Sequence, residues 1–243
     1  FIYFVSYGII GIYRNYYYPN KVVTVQSERE VGRSLMVWMH AADFGLLTSE
    51  DTDYVVNLIR YVFLPFYETA AGITLFNSIS APWPRPDEDP PILPGKPYFL
   101  LWQLGLIIPP LYDVAKRLEA QHPDLSYRLI ATAKRLSQWL VDCVGDGGEV
   151  AAAVTVPEQV YNTTTPVNSL AEYITANDLH FEVYGGIPAK YLYGLWCYRA
   201  LSVANALGIK KADVKASAIL QRITNPSQLD KSWLVDYDYN FMV

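Results

Sequence analysis

Three segments that are apolar on nearly every side are each followed by a segment with a single apolar stripe. The first members begin near residues 28, 98 and 186. A helix that is apolar all round is buried all round, whereas a helix with one apolar stripe packs at the surface. The pattern therefore predicts a mainly α fold of three antiparallel helical hairpins, with the inner helix first in each. We expect residues 1–243 to form one helical domain.

Local signals predict the ends of these helices. Ser27 followed by Glu30 forms a capping box at the start of the first helix, and Gly208 ends the fifth. Pro109 and Pro110 predict a kink in the third. The predicted helices cover residues 28–47, 52–66, 98–118, 126–144, 187–207 and 211–223.

The segments between the hairpins are long and irregular. Residues 81–97 contain so many prolines that helix and sheet interior are excluded, which predicts a long loop. Residues 149–167 carry β-branched residues and turn formers, which predict a short β-hairpin, and residues 233–243 predict a strand or an aromatic strap. The uneven spacing of the hairpins argues against a short solenoid repeat and favours a curved array with long loops.

Charge and hydropathy argue against two classes of partner. The net charge is −5 and no run of Lys and Arg reaches four residues, so the basic stripe of a nucleic-acid-binding surface is missing. The apolar runs at 1–13 and 98–111 are shorter than the ~20 residues that span a membrane, so no membrane partner is expected. A membrane-associated helical subunit is the alternative that these two runs leave open.

Few features bear on the compartment. The chain begins at Phe1 without an initiator Met, which predicts a piece of a larger chain or assembly. Cys143 and Cys197 lie in apolar helical stretches, where one disulfide or two buried thiols both fit the pattern. Residues 162–164 form a glycosylation sequon. An extracellular or periplasmic location is compatible with these features but not required by them.

The starts of the inner helices carry a resemblance to a known architecture. The segments concerned are Ser27–Arg33, Lys96–Trp102, and Tyr184–Ile187 leading into Leu195-Trp196. With their long loops, these hairpins resemble the (α/α) toroid proteins, the six-hairpin glycosidases and polysaccharide lyases. The resemblance implies a carbohydrate-active enzyme, a lyase or a glycoside hydrolase, with a saccharide as substrate. Such toroids usually have six or seven hairpins, so the three predicted over residues 20–223 correspond either to about half of one or to an open helical array.

Polar and aromatic residues collect at the predicted starts of the inner helices. If these helices run parallel, their N-termini meet at one end, where helix dipoles attract anionic groups. We therefore predict a saccharide-binding end. Its predicted members are Glu28, Arg29 and Arg33 on the first inner helix, Trp83 in the Pro-rich loop, Tyr98 and Trp102 on the second inner helix, and Asn177 before the third. The alternative for the first group is helix capping with an ion pair between Glu30 and Arg33.

The densest group of titratable residues lies between positions 178 and 184. Alternation along an extended segment would place Asp178, His180, Glu182 and Tyr184 on one face, as candidate catalytic residues. A His beside a carboxylate can act as a general base and a Tyr as a proton donor, as a lyase requires. A hydrolase instead requires two carboxylates, one of which the first inner helix could supply. The alternative is a polar pair of His180 and Glu182 that caps the third inner helix.

No metal and no cofactor are expected. The sequence has no Gly-rich phosphate loop, zinc pattern, nucleophile elbow or paired-aspartate motif. His40 and Asp43 are spaced like metal ligands on one helix, but no third ligand is near, so His40 is predicted to be a core residue. The second functional hypothesis is a non-catalytic scaffold or binding subunit of an extracellular or cell-surface assembly, favoured by the 20 Tyr and 6 Trp.

Overall fold

The computed structural model describes residues 28–68, 72–73, 76–77, 97–151, 153–163, 165–180, 182–184 and 191–225. This part of the chain is mainly helical, as predicted, with one small antiparallel sheet. The predictions for residues 1–27, for the Pro-rich loop up to residue 96 and for the tail at 233–243 lie outside the described residues.

The helices occur in the predicted order. They are α1 (Glu28–Asp43), α2 (Ser49–Leu58), a π-helical turn (Ile59–Phe63) that continues into α3 (Leu64–Tyr67), α4 (Leu101–Leu118), α5 (Pro123–Cys143), α6 (Glu158–Asn162), α7 (Leu170–Ala176), α8 (Tyr191–Ala206) and α9 (Ala212–Thr224). The strands are β1 (Phe76–Asn77), β2 (Pro97–Phe99), β3 (Ala153–Thr155) and β4 (Glu182–Tyr184). The short helices α6 and α7 and strands β1 and β2 were not predicted. The helix predicted to begin at Tyr98 begins at Leu101 instead, because Tyr98 lies on β2.

Local chemistry explains where the predicted helix ends were wrong. The first helix stops before residue 47 because Gly45 adopts a left-handed conformation (φ 65°) and closes a Schellman turn. In that turn the Leu46 N–H donates to the Ala41 carbonyl at 2.9 Å, and the Gly45 N–H to the Ala42 carbonyl at 3.1 Å. Helix α5 begins earlier than predicted, because Pro123 occupies the first helical position, where its missing N–H costs nothing.

The long outer helix of the first pair contains a π-helical turn. The Leu64 N–H donates to the Ile59 carbonyl, five residues back, instead of to the residue four back. Pro65 follows directly, and it has no N–H to offer to the Tyr61 carbonyl. The wider turn lets the helix pass through a proline without ending.

Helices α1 and α4 lie side by side and run parallel. Gly32, in the second turn of α1, faces the backbone of Leu106, in the second turn of α4. Asp43, at the end of α1, pairs with Arg117, near the end of α4, at 2.5 Å. Contacts therefore join start to start and end to end. A Cβ on Gly32 would lie 2.9 Å from the Leu106 carbonyl carbon, so glycine is required for this approach.

Helices α4 and α8 are also parallel, because contacts join their first turns to each other and their later turns to each other. Trp102 in the first turn of α4 contacts Trp196 in the second turn of α8, and Asp113 further along α4 pairs with Arg199 further along α8 at 3.6 Å. Gly105 allows the two backbones to approach, since a Cβ there would lie 2.8 Å from the Trp196 carbonyl carbon. Helix α4 is thus the middle of a layer of three parallel inner helices.

The second helices of the pairs return in the opposite direction. The ring of Phe99, just before α4, contacts the ring of Trp139, close to the end of α5. Their centroids lie 5.7 Å apart. Gly194, at the start of α8, faces Ile223, at the end of α9. Each of these pairs is therefore antiparallel, as predicted.

Two ion pairs orient the first outer helix. Arg60 pairs with Asp124 at 3.2 Å, and Glu68 with Arg128 at 2.6 Å, so the stretch 49–67 runs parallel to α5. Because α5 is antiparallel to α4, and α4 is parallel to α1, this stretch is antiparallel to α1. The contacts of α4 with α1 and with α8 place inner helices beside inner helices.

Burial differs from the prediction on two helices. Helix α1 is not buried all round: Val37 is 36% exposed and His40 is exposed, so the predicted core position for His40 is wrong. Helix α5 is more buried than a single apolar stripe predicts, since its polar residues Thr132 and Arg135 are buried. Helix α4 fits the prediction best, with only Leu106 partly exposed before Tyr112.

The sheet has the order β1-β2-β3-β4, with all neighbours antiparallel. Strand β3 falls within the predicted hairpin at 149–167, but that hairpin is wrong, because β3 pairs with the distant strands β2 and β4. Strand β2 ends at Phe99 and α4 begins at Leu101, which places the sheet at the N-terminal end of the inner helices.

Candidate functional site

The parallel inner helices bring their N-termini to one end of the molecule. At the start of α1, Glu28 is buried, and Arg29 donates from Nε to Glu30 at 2.6 Å. This ion pair links neighbouring residues of the first turn. Burial lowers the pKa of Arg33, the nearby Arg29 cation lowers it further, and Glu30 opposes both effects. The first turns of α1 thus carry both acidic and basic groups.

Two buried residues, Tyr67 and Arg135, were not predicted as site residues. Tyr67, at the end of α3, is fully buried, and burial followed by the Glu28 carboxylate raises its pKa well above the usual value, with Arg135 opposing. The Arg135 guanidinium donates to the backbone carbonyls of Tyr67 and Gly72, at 2.5 and 3.1 Å. Burial lowers the pKa of Arg135 to about 10.

A tryptophan pair marks the same end of α4 and α8. The rings of Trp102 and Trp196 lie 5.4 Å apart at 35°. Trp102 is 8% exposed, so most of its side chain is buried and little of it is accessible at the surface. Trp196 is partly exposed and is the more accessible of the two. The predicted residue Trp102 therefore has an aromatic neighbour that was not predicted.

The sheet places two predicted residues in one row. Tyr98 on β2 is opposite Thr155 on β3, and Thr155 is opposite Glu182 on β4. Two strand spacings of about 4.8 Å separate the backbones of the outer positions, so they lie about 10 Å apart. Burial raises the pKa of the Tyr98 phenol. Tyr184 is on the same strand as Glu182, opposite Ala153.

The predicted extended segment from Asp178 is only partly extended. Asn177 caps the C-terminus of α7, with its amide Nδ2 donating to the Tyr173 carbonyl at 2.8 Å. Asp178 adopts a left-handed conformation (φ 52°), which breaks the alternation that would have put it on one face with Glu182. Asn177, Asp178 and His180 are exposed, and no ion pair among the described residues joins them to α1.

Two further predictions concern the loop and metals. Trp83 lies outside the described residues. Within the described ranges there is no group of three His, Cys, Asp or Glu side chains that could hold a metal ion. Cys143 and Cys197 are both free and buried, which selects the two-thiol alternative over a disulfide.

The comparisons with known proteins do not add to this picture. The chain matches no protein-family description, no curated protein and no solved structure. In the part of the chain that the structure describes, no helix is both long enough and apolar enough to cross a membrane.

No local signal could have found the missed residues. Tyr67 lies in an apolar stretch that is typical of a core aromatic, and Arg135 has the spacing of a surface charge on an amphipathic helix. Their hydrogen bonds join positions 68 residues apart. Gly72 gave no signal either, although a Cβ there would collide with the Tyr67 carbonyl and the Arg135 guanidinium.

Proposed function

We propose that this chain is part of a carbohydrate-active enzyme of the α/α-toroid type, a polysaccharide lyase or a glycoside hydrolase. The observation that carries the proposal is the parallel packing of α1, α4 and α8, with their N-termini at one end. A shared end gathers side chains from three separate hairpins and three helix dipoles of the same sign. An end of this kind is a suitable binding surface for a polar substrate.

The groups at this end suit saccharide chemistry. Glu28 and Glu30 offer carboxylates for acid–base catalysis, and Arg29 and Arg33 can pair with a charged sugar. Glu182 and Tyr98 share a row of the neighbouring sheet. The buried Trp102 and the partly exposed Trp196 offer apolar ring faces, against which the C–H face of a sugar packs.

The test is turnover of a panel of neutral and acidic polysaccharides by the whole chain. New reducing ends indicate a hydrolase, and the ultraviolet absorbance of an unsaturated sugar ring indicates a lyase. We expect Glu28→Gln and Glu182→Gln to lower turnover by at least about 100-fold, the usual range for acid–base groups. Glu119→Gln is the matched control, since Glu119 follows the opposite end of α4, where it pairs with Lys116. Equal turnover by all three variants contradicts the proposed site.

A binding subunit without catalysis is the second candidate. It is favoured by three large side chains that stay exposed, Phe44, Tyr61 and Tyr127, each more than two-thirds accessible. Exposed aromatic residues are common at protein–protein interfaces. Saccharide binding without turnover, together with capture of a partner that is lost in Tyr61→Ser and Tyr127→Ser, would favour this candidate over the enzyme.

A further inference from the structure

The side chain of Gln103 is a buried polar group without a partner. Gln103 is the third residue of α4 and is 4% exposed. Its Oε1 atom is itself buried, and it accepts no hydrogen bond from any residue that the structure describes. Buried polar groups normally have partners, and one without a partner lowers the stability of the free protein. An acceptor left open in this way indicates a donor that a bound molecule supplies.

Gln103 lies on the side of α4 that faces α1. It precedes Leu106 and Ile107 by three and four residues, and residues at these spacings share one face of a helix. That face contacts α1 closely, since a Cβ on Gly32 would lie 2.9 Å from the Leu106 carbonyl carbon and 3.1 Å from the Ile107 Cα. Gln103 is one turn closer to the N-terminal end than this contact. It is therefore level with the first turn of α1, which begins at Glu28, one turn before Gly32.

The start of α4 offers hydrogen-bond donors at the same place. Long side chains on a helix lean toward its N-terminus, so the Gln103 carboxamide extends toward the start of α4. The first N–H groups of a helix have no acceptor within that helix. Helix α4 begins at Leu101 with neither a side-chain cap nor an acidic residue in its first turn. Leu100, just before the helix, is partly exposed, so this end of α4 is in contact with solvent.

These groups define the chemistry of the molecule that satisfies them. The Gln103 oxygen requires a donor, whereas the N–H groups at the start of α4 require an acceptor. An alcohol hydroxyl is both, whereas a carboxylate cannot donate and an ammonium cannot accept. A saccharide hydroxyl therefore matches this position, and the carboxylate of a uronate does not.

We propose that Gln103 binds one hydroxyl group of the saccharide. The sugar hydroxyl donates to Gln103 Oε1, and its oxygen accepts from an N–H group in the first turn of α4. The free protein carries the cost of a buried, unpaired oxygen, and the bound sugar removes that cost. The inference rests on the proposed function, because the starts of α1 and α4 belong to the proposed saccharide site.

The first experiment compares wild type with Gln103→Met, which removes the carboxamide but keeps the length and the helix propensity of the side chain. The probe is the tightest ligand from an array of neutral and uronate oligosaccharides, measured by isothermal titration calorimetry. We expect the affinity to fall about tenfold, which corresponds to ~1.4 kcal/mol. Affinities within twofold of each other overturn the inference.

The stability of the free protein separates a ligand-binding role from a structural one. Without sugar, the Tm of Gln103→Met should equal that of wild type or exceed it by about 2–4 °C, because the unpaired oxygen is gone. A lower Tm with an unchanged affinity would mean that the oxygen holds a structural water, and the inference would be wrong. If Gln103→Met does not fold, Gln103→Leu replaces it in both measurements.

The second experiment identifies the hydroxyl through a set of monodeoxy analogues of that oligosaccharide. One analogue should bind wild type about tenfold more weakly than the parent sugar does. The same analogue should bind Gln103→Met as well as the parent does, since the partner is already gone. An equal loss in both proteins for every analogue overturns the inference.

Ser137 provides the matched control. Its hydroxyl is also buried and has no partner within the described part of the chain, but it lies on α5, before the last turn of that helix. Ser137→Ala should bind the sugar like wild type. An equal loss of affinity in Ser137→Ala and Gln103→Met overturns the inference, since a general change in packing then explains both. If wild type binds no saccharide on the array, the proposed function itself has failed, which is a different result from equal binding by wild type and Gln103→Met.

Discussion

Replacing Gly32 by alanine tests the parallel contact between α1 and α4. A Cβ on Gly32 would lie 2.9 Å from the Leu106 carbonyl carbon and 3.1 Å from the Ile107 Cα. Both are backbone atoms, so no side chain can rotate away. Ordinary carbon contacts lie at about 3.5–4.0 Å, so α1 must move outward by roughly 0.6 Å or more.

Two opposing effects set the size of the change. Alanine stabilises a helix by about 1 kcal/mol relative to glycine. Overpacking a close contact costs about 1–3 kcal/mol, and the rigid backbone on both sides favours the upper end. The substitution should therefore lower the free energy of unfolding by about 2 kcal/mol. For a chain of this size, that lowers Tm by about 4–8 °C.

Urea unfolding followed by circular dichroism measures the change, with an unchanged m-value as the condition for comparing free energies. Gly194→Ala is the matched control, since its Cβ would meet only side-chain methyls of Ile223 and Ile219, which can move, and we expect stability within about 1 kcal/mol of wild type. Adding Leu106→Ala to Gly32→Ala should not restore stability, because the clash is with backbone. A Gly32→Ala protein as stable as wild type refutes the close parallel packing.

Three further predictions concern buried polar groups. Burial raises the pKa of Tyr67, so above about pH 10 the unfolded chain loses this proton while the folded chain keeps it. Wild-type stability should therefore fall relative to Tyr67→Phe as the pH rises above about 10, by up to ~1.4 kcal/mol per pH unit, in paired urea titrations; parallel curves contradict this. Burial also raises the pKa of the Cys143 and Cys197 thiols. Iodoacetamide should alkylate neither in the native protein and both in urea, as read by mass spectrometry, and native labelling would show that one is accessible. Lys215→Met removes the buried donor to the Val144 carbonyl at the end of α5, and should cost about 2–3 kcal/mol by urea unfolding; a loss under about 0.5 kcal/mol would mean that water replaces the amine.

The helices were predictable because their signals are local. The single apolar stripe of the last helix and the glycine after α8 are recognised within one or two turns of chain. Even the misplaced end of α1 has a local signal, since Gly45 provides the left-handed residue of the Schellman turn. The positions of the candidate residues Glu28, Arg29 and Arg33 in the first turns of a helix were predictable for the same reason.

The sheet and the buried charge were not predictable in this way. Strands of two or three residues are too short to show alternation, and β3 finds its partners in segments far along the chain. Arg135 has the spacing of a surface residue on α5, but Tyr67 at the end of α3 and Gly72 further along the chain each offer it a backbone carbonyl. Which face of a helix is buried depends on the segments that pack against it, and these cannot be identified from the sequence of the helix itself.

The sequence by itself determined that this protein is mainly helical, in what order its long helices come, and that α4 pairs with α5 and α8 with α9. Each of those properties depends on periodicity and capping over a few residues. Only the tertiary structure decided that α1, α4 and α8 run parallel with their starts at one end, and that the buried Arg135 donates to the Tyr67 carbonyl. Those relations depend on contacts between distant segments, such as the approach of Gly32 to Leu106, where two backbones meet because neither side chain intervenes.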